Sequence, residues 1–123
     1  IVYVDLNGLK RVNDTMGHKA GDHLIVSVAD KLFQCLPGGE VYRVGGDEFI
    51  VFCKNLPKEQ FETMVDNLQR SWDEESSAAV GVVWTDRTEE IESKVSDAEK
   101  KMYIGKRKFY ERRGMERRRD SRR

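Results

Sequence analysis

Two rhythms of apolar residues run along the chain. Ile1-Val2-Tyr3-Val4 is an unbroken β-branched and aromatic run, the pattern of a buried strand. Gly8 interrupts it, and Leu9, Val12 and Met16 then recur at helical spacing up to Gly17. Between residues 18 and 36 the stripe Leu24, Ile25, Val28, Ala29, Leu32, Phe33 is wide enough for a helix lying on a sheet, and Pro37-Gly38-Gly39 stops it. Residues 41–44 and 49–53 read as strands joined by Gly45-Gly46-Asp47-Glu48, whose glycines are expected to supply the positive φ of a tight hairpin. Pro57 opens a helix with Phe61, Met64, Val65, Leu68 and Trp72 on one face. Residues 78–84 form a further strand-like run, followed from about Glu89 by a helix on which Ile91, Val95, Ala98 and Met102 share a face. Strands alternating with helices around a central hairpin predict an α/β sandwich of the ferredoxin-like kind, with helices over one or both faces of a mixed sheet.

Length narrows this to one domain, because 123 residues hold a single core. The stretch from Met115 to Arg123 is too polar to bury anything, so the domain is expected over residues 1–114, with 115–123 a disordered basic tail. Lysine plus arginine balances aspartate plus glutamate at 22 each, so nothing global points to nucleic acid or a membrane surface. Cys35 and Cys53 match no metal-ligand spacing and sit in apolar runs, as buried free thiols of a reducing compartment do; the cytoplasm is the expected location. No stretch approaches the ~20 apolar residues of a membrane span, and no signal-peptide pattern opens the chain. The sequence begins in mid-pattern without a methionine and reads as a fragment, whose parent could itself be membrane-anchored.

Three places carry candidate chemistry. Asp5-Leu6-Asn7-Gly8-Leu9-Lys10 puts a carboxylate at a strand's end just before a helix, where unpaired N–H groups can hold phosphate and Lys10 adds charge. The same Asp5 also fits a plain helix cap. A calcium loop does not fit, since Lys10 stands where that pattern needs glycine. Asp47 and Glu48 lie at the hairpin tip, where neighbouring side chains of extended backbone point to opposite faces and would play different roles. They read either as a solvated acidic turn or, if the hairpin pairs beside the first strand, as part of a carboxylate cluster with Asp5 that suits magnesium. Asn13 and Asp22 together offer what guanine's N1–H and amino group require, though singly they also fit a turn former and a helix-start residue. His18 and His23 lack a metal-binding partner pattern and read as turn and surface histidines.

The run Asp5 to Asp22, the heptapeptide Arg43-Val44-Gly45-Gly46-Asp47-Glu48-Phe49 and the closing Asp97-Ala98-Glu99-Lys100-Lys101-Met102-Tyr103-Ile104-Gly105-Lys106 resemble, in order and spacing, the GGDEF domain of bacterial diguanylate cyclases. The resemblance runs from residue 1 to about residue 106. It implies a nucleotidyl cyclase palm with a mostly antiparallel sheet that condenses two GTP into cyclic di-GMP and two pyrophosphates. By the same resemblance, Asp5, Asp47 and the Leu6 carbonyl would bind Mg2+ (or Mn2+), with Asp47 and Glu48 as catalytic residues. Gly8 and Leu9 would offer N–H groups to phosphates, Lys10 and Lys106 would neutralise them, and Asn13 and Asp22 would read guanine. Glu48 would assist the attacking 3′-hydroxyl in a two-metal scheme, and each domain would hold one GTP, so catalysis would need a homodimer. A sensor domain upstream in the parent chain is also implied.

The sequence departs from the family pattern in places. Asn7 replaces a frequent Asp and Leu9 a frequent Phe, both mildly. Tyr110 stands at a usual arginine, for which Arg107 or Arg112 could substitute. The helix that usually precedes the first strand is not in the sequence, which is expected to leave apolar sheet surface exposed. The window of the family's Arg-x-x-Asp product-inhibition motif reads Leu36-Pro37-Gly38-Gly39, without charge, and Arg43 nearby would supply only part of such a site, so no inhibitory product site is expected. Two rival readings are a catalytically inactive, GTP-binding regulatory module and a related palm acting on another substrate. The carboxylates and lysines all present favour the enzyme.

Overall fold

The computed structural model describes residues 1–121, with side chains described through Arg112. The elements follow the predicted order: β1 (Val2–Leu6), α1 (Leu9–Met16), α2 (His18–Cys35), β2 (Glu40–Arg43), β3 (Glu48–Phe52), α3 (Lys58–Arg70), β4 (Ala78–Val82) and α4 (Ile91–Ser121), the last entered through a 3-10 turn at Thr88–Glu90. The segment from Met115 expected as a tail falls on α4's last turns, whose side chains lie outside the described residues, and on residues 122 and 123, which lie outside them altogether.

The four strands form one sheet in the order β2-β3-β1-β4. All three ladders are antiparallel, so the sheet is not mixed as its strand–helix alternation suggested. The hairpin β2–β3 docks its second strand directly on β1, and β4 returns to the other side of β1. Register then sorts the side chains, since alternate residues of a strand share a face. Val2, Val4 and Leu6 of β1 meet Phe49 and Val51 of β3 and the α2 residues Leu24, Val28 and Leu32 on one face, closed by Phe61, Val65 and Leu68 of α3. Each such side chain, removed from water, contributes roughly 1.5–3 kcal/mol. Cys35 and Cys53 are free thiols at the edge of this layer, half-buried rather than buried.

On the opposite face Tyr3, Ala79 and Val83 pack against Ala98 and Met102 of α4. That helix lies unusually close to β4 because Gly81 has no side chain: a Cβ there would sit 1.8 Å from the Ala98 carbonyl oxygen and 2.5 Å from the Met102 nitrogen. Main-chain atoms cannot swing aside as a flexible side chain can. The absent side chain at Gly81 therefore sets where α4, and everything it carries, meets the sheet.

Gly81→Ala should cost about 1–3 kcal/mol or more of stability through forced displacement of α4. Urea unfolding measures it, and a stability equal to the parent's would show that the helix moves away without cost.

Candidate active site

The carboxyl end of β1 meets the hairpin tip. Asp5 pairs with Glu48 across the β1–β3 ladder, and the Leu6 N–H donates to the Asp47 carbonyl at 2.8 Å. Carboxylate oxygens of Asp5, Asp47 and Glu48 consequently lie within 4.8 Å of one another. The expected opposition of Asp47 and Glu48 is corrected here: β3 begins only at Glu48, so strand alternation does not govern Asp47, and both acids converge on one cluster. The tip owes its shape to Arg43 rather than to positive φ at its glycines, since the glycines in that region of φ are Gly8, Gly17 and Gly38. The Arg43 guanidinium donates to the carbonyls of Gly45 (3.2 Å) and Gly46 (2.8 Å), and the Val44 N–H donates to the Glu48 carbonyl at 2.9 Å.

Lys106 of α4 closes this cluster from above. Its ammonium donates to Asp5 Oδ1 at 3.0 Å and to the Leu6 carbonyl, with both charged side chains largely buried. Tyr110, one turn later, lays its ring 5.4 Å from the same ammonium. Asp5 is nonetheless pushed up to about 6. Burial is the main cause and Asp47 adds to it, while Lys106 opposes both. The site therefore has a surplus of negative charge that one lysine only partly offsets. Three hard oxygen donors converging in this way are the donor set a divalent cation takes. Lys106 already holds the Asp5 carboxylate and the Leu6 carbonyl, so a cation bound there would have to share or displace it.

Tyr3, on the same face two residues before Asp5, donates its hydroxyl to Glu48 Oε2 at 2.8 Å. Burial raises its pKa first and Glu48 and Glu99 raise it further, so the phenol keeps its proton. Tyr103 is exposed but also shifted upward, chiefly by Glu48 and then by Glu99. Neither tyrosine was among the residues singled out from sequence, where Tyr3 read only as a strand former.

Beyond Asp5 the chain turns through Gly8, at φ 75°, into α1, whose first turn has no side-chain cap and so presents free N–H groups. The turn is fastened on its far side. Asn7 donates its backbone N–H to the Ser77 carbonyl (2.9 Å) and its amide to Ser77 Oγ (3.0 Å), leaving Asn7 Oδ1 buried without a partner. Ser77 is itself held in a loop that sequence reading passed over. Asp73 accepts from the N–H groups of Glu75 and Ser76, and Lys31 of α2 donates to Asp73, the Ser76 carbonyl and Ser76 Oγ. Those bonds, led by the Ser76 N–H, hold Asp73 down at about 2. An open cleft of about 1370 Å³ lies between this loop, α1 and the distal part of α4. Gly8, Lys10 and Arg112 line it, as does His23, whereas Arg107 is not among its lining residues.

Asn13 and Asp22 stand outside the cleft lining, at the α1–α2 junction. The Asn13 amide lies over Gly21, where a Cβ would come within 1.8 Å of its Oδ1, and Asp22 follows directly, exposed to solvent. Leu9 packs on the core beneath them.

An antiparallel palm with helices on both faces and an acidic cluster at its hairpin defines a nucleotidyl cyclase-like domain. The family described as "Diguanylate cyclase, GGDEF domain" matches residues 1–112, and the chain belongs to it. Among solved structures, the GGDEF domain of YfiN (TpbB) from Pseudomonas aeruginosa superposes with a TM-score of 0.75 at 28% identity, covering 87% of this chain and 70% of that one. Curated relatives include the cyclic di-GMP phosphodiesterase PdeR of Escherichia coli, 39% identical over 69 residues, and the diguanylate cyclase DgcP of the same organism, 34% identical over 71. These matches span 55% and 57% of this chain, but only 10% and 21% of those much longer proteins. No helix among the described residues is long and apolar enough to cross a membrane.

Because folding raises Asp5 to about 6, the unfolded chain loses that proton first, and metal-free stability should fall as pH rises from the ordinary carboxylate range toward 6. Only the ionised carboxylate ligates, so thermal stabilisation by Mn2+ should be full at pH 7.5 and vanish as pH drops through about 6. At pH 7.5 Lys106→Met should bind Mn2+ about tenfold more tightly without nucleotide, having lost a competing cation. Calorimetry on both proteins checks this, and a weaker Mn2+ affinity in the variant would contradict it.

Proposed function

We propose that this domain is a working half of a diguanylate cyclase, joining two GTP molecules into cyclic di-GMP when two copies face each other. The observation that carries the reading is the convergence of Asp5, Asp47 and Glu48 beneath Lys106, beside the uncapped start of α1. In the reaction the 3′-oxygen of one GTP attacks the α-phosphorus of the other. A new phosphodiester forms, the bond to pyrophosphate breaks, and the hydroxyl proton leaves for base; the step repeated in the opposite sense closes the ring.

Each residue's contribution follows from its position. Asp5, Asp47 and the Leu6 carbonyl would hold Mg2+ or Mn2+, which when bound supplies Lewis acidity at the phosphate and the 3′-oxygen. The N–H groups at Gly8 and Leu9, at the uncapped start of α1, would donate to a terminal phosphate, and Lys10 would add positive charge from the cleft wall. Lys106, if released from Asp5, would neutralise the same phosphates. Arg112, which lines the cleft, stands in for the arginine that Tyr110 replaces. Asn13, braced on Gly21, and Asp22 read guanine's donors. Glu48 orients or accepts the proton of the attacking hydroxyl. One GTP per domain makes a homodimer the active species, in the cytoplasm and under control of a sensor domain in the parent chain. Arg43 is committed to the hairpin carbonyls and the 36–39 turn carries no charge, so tight product inhibition at that place is not expected.

A second reading, a regulatory module that binds GTP without turning it over, draws support from the resemblance to a phosphodiesterase-named relative and from Tyr110 at an arginine position. Incubation with Mg2+ and either GTP or ATP, with products identified by mass, separates the two. Cyclic di-GMP from GTP alone is expected, and Asp47→Ala should cut its rate about 100-fold or more while weakening GTP binding less. Undiminished synthesis by that variant would remove Asp47 from the metal site; GTP binding without any product in the parent would favour the regulatory module.

Asp22→Ala should weaken GTP binding by about tenfold and leave ATP binding nearly unchanged, because it removes one charged acceptor from guanine's donors. Equal loss for both nucleotides, measured by calorimetric titration, would make Asp22 a residue of the fold instead.

A further inference from the structure

We propose that Tyr3 is a positioning residue for Glu48, a dedicated hydroxyl donor that fixes the hairpin carboxylate over the site formed with Asp5 and Asp47. The inference rests on the cyclase reading for its catalytic consequence, but its geometry stands on the sheet alone. Tyr3 and Asp5 lie two residues apart on β1 and so share a face, while the ladder sets Tyr3 opposite Ile50 and Asp5 opposite Glu48. Glu48 is thus the diagonal cross-strand neighbour of Tyr3, within reach of an aromatic side chain. The reach is used: the phenol donates to Oε2 at 2.8 Å.

Two features make this donor a device rather than a chance partner. Tyr3 is 5% exposed and packs with Ala79, Val83, Ala98 and Met102, so its ring is held in place beside the hairpin. Phenylalanine would fill that space equally well, and burying a hydroxyl where packing alone is needed costs free energy unless it is bonded. Glu48, by contrast, has three rotatable bonds, and among the described residues its carboxylate accepts a hydrogen bond from Tyr3. A flexible acid at a hairpin tip gains most from a rigid donor, because one fixed oxygen leaves the other with a defined direction toward Asp5 and Asp47. Glu99 of α4 also faces the phenol, so the hydroxyl's single proton is contested between two carboxylates. Glu99 is the partner that must give way, or turn to solvent, while Tyr3 serves Glu48.

The test is a double-mutant cycle of the parent, Tyr3→Phe, Glu48→Gln and both together, read first as Mn2+ affinity by calorimetry at pH 7.5 without nucleotide. Tyr3→Phe should lower Mn2+ affinity about tenfold, as loss of an orienting partner does, and should do nothing further once Glu48 is Gln. With GTP and saturating Mg2+, Tyr3→Phe should lower kcat about tenfold and leave KM within about twofold. Unchanged Mn2+ affinity in Tyr3→Phe, or an equal loss in both backgrounds, overturns the proposal. Tyr3→Met, which also fills the space without a hydroxyl, repeats the comparison should the phenylalanine form fold poorly. If the parent binds Mn2+ with the expected coupling yet makes no cyclic dinucleotide, the cyclase reading falls and the positioning role stands.

Discussion

Asp5 and Lys106 are 101 residues apart in sequence and 3.0 Å apart in space. Their ion pair joins the first strand to the last helix across a carboxylate that burial and Asp47 both work against ionising. Buried pairs of this kind contribute little net stability, since desolvation consumes much of the attraction. What the pair does settle is geometry. It ties the end of β1 to a helix whose approach Gly81 sets, and which carries Tyr110 over the lysine, Ala98 and Met102 over Tyr3, and one wall of the cleft.

Such a contact is a poor structural brace and a good placeholder. In the metal-free protein an ammonium group occupies the very acceptors that suit a hard cation, which keeps the acidic cluster folded without filling it permanently. On the cyclase reading proposed above, a nucleotide arriving with its own cation would bring both a replacement for the lysine's charge and an anion for the lysine to meet. Affinity for metal and affinity for phosphate would then be coupled through one side chain.

The order of elements was legible because each rests on local signals: the stripe of Leu24, Val28 and Leu32, the run Val2-Tyr3-Val4, the stop at Pro37 and the helix start at Pro57 all read directly into the fold. The acidic cluster was legible only conditionally, since Asp47 approaches Asp5 if β3 pairs with β1, and that pairing is a tertiary fact. Four features escaped for physical reasons. Strand alternation misassigned Asp47 because Asp47 lies just before the strand, which starts at Glu48. The glycines of the hairpin suggested positive φ, whereas Arg43 holds the tip through its carbonyls. The loop from Asp73 to Ser77 has no periodicity at all, and its order comes from Lys31, more than 40 residues away. Tyr3 was hidden by its own propensity, since a strand-forming aromatic needs no further explanation until its hydroxyl is seen on Glu48.

The contact between Asn13 and Gly21 has a consequence for how this domain can change. The Asn13 amide rests in the space that a side chain at position 21 would fill. The two positions are therefore a size-matched pair: enlarging residue 21 by one carbon evicts the amide, and shortening Asn13 empties the space beside it. Drift at either position is epistatic with the other, so neither can change size without the other answering it.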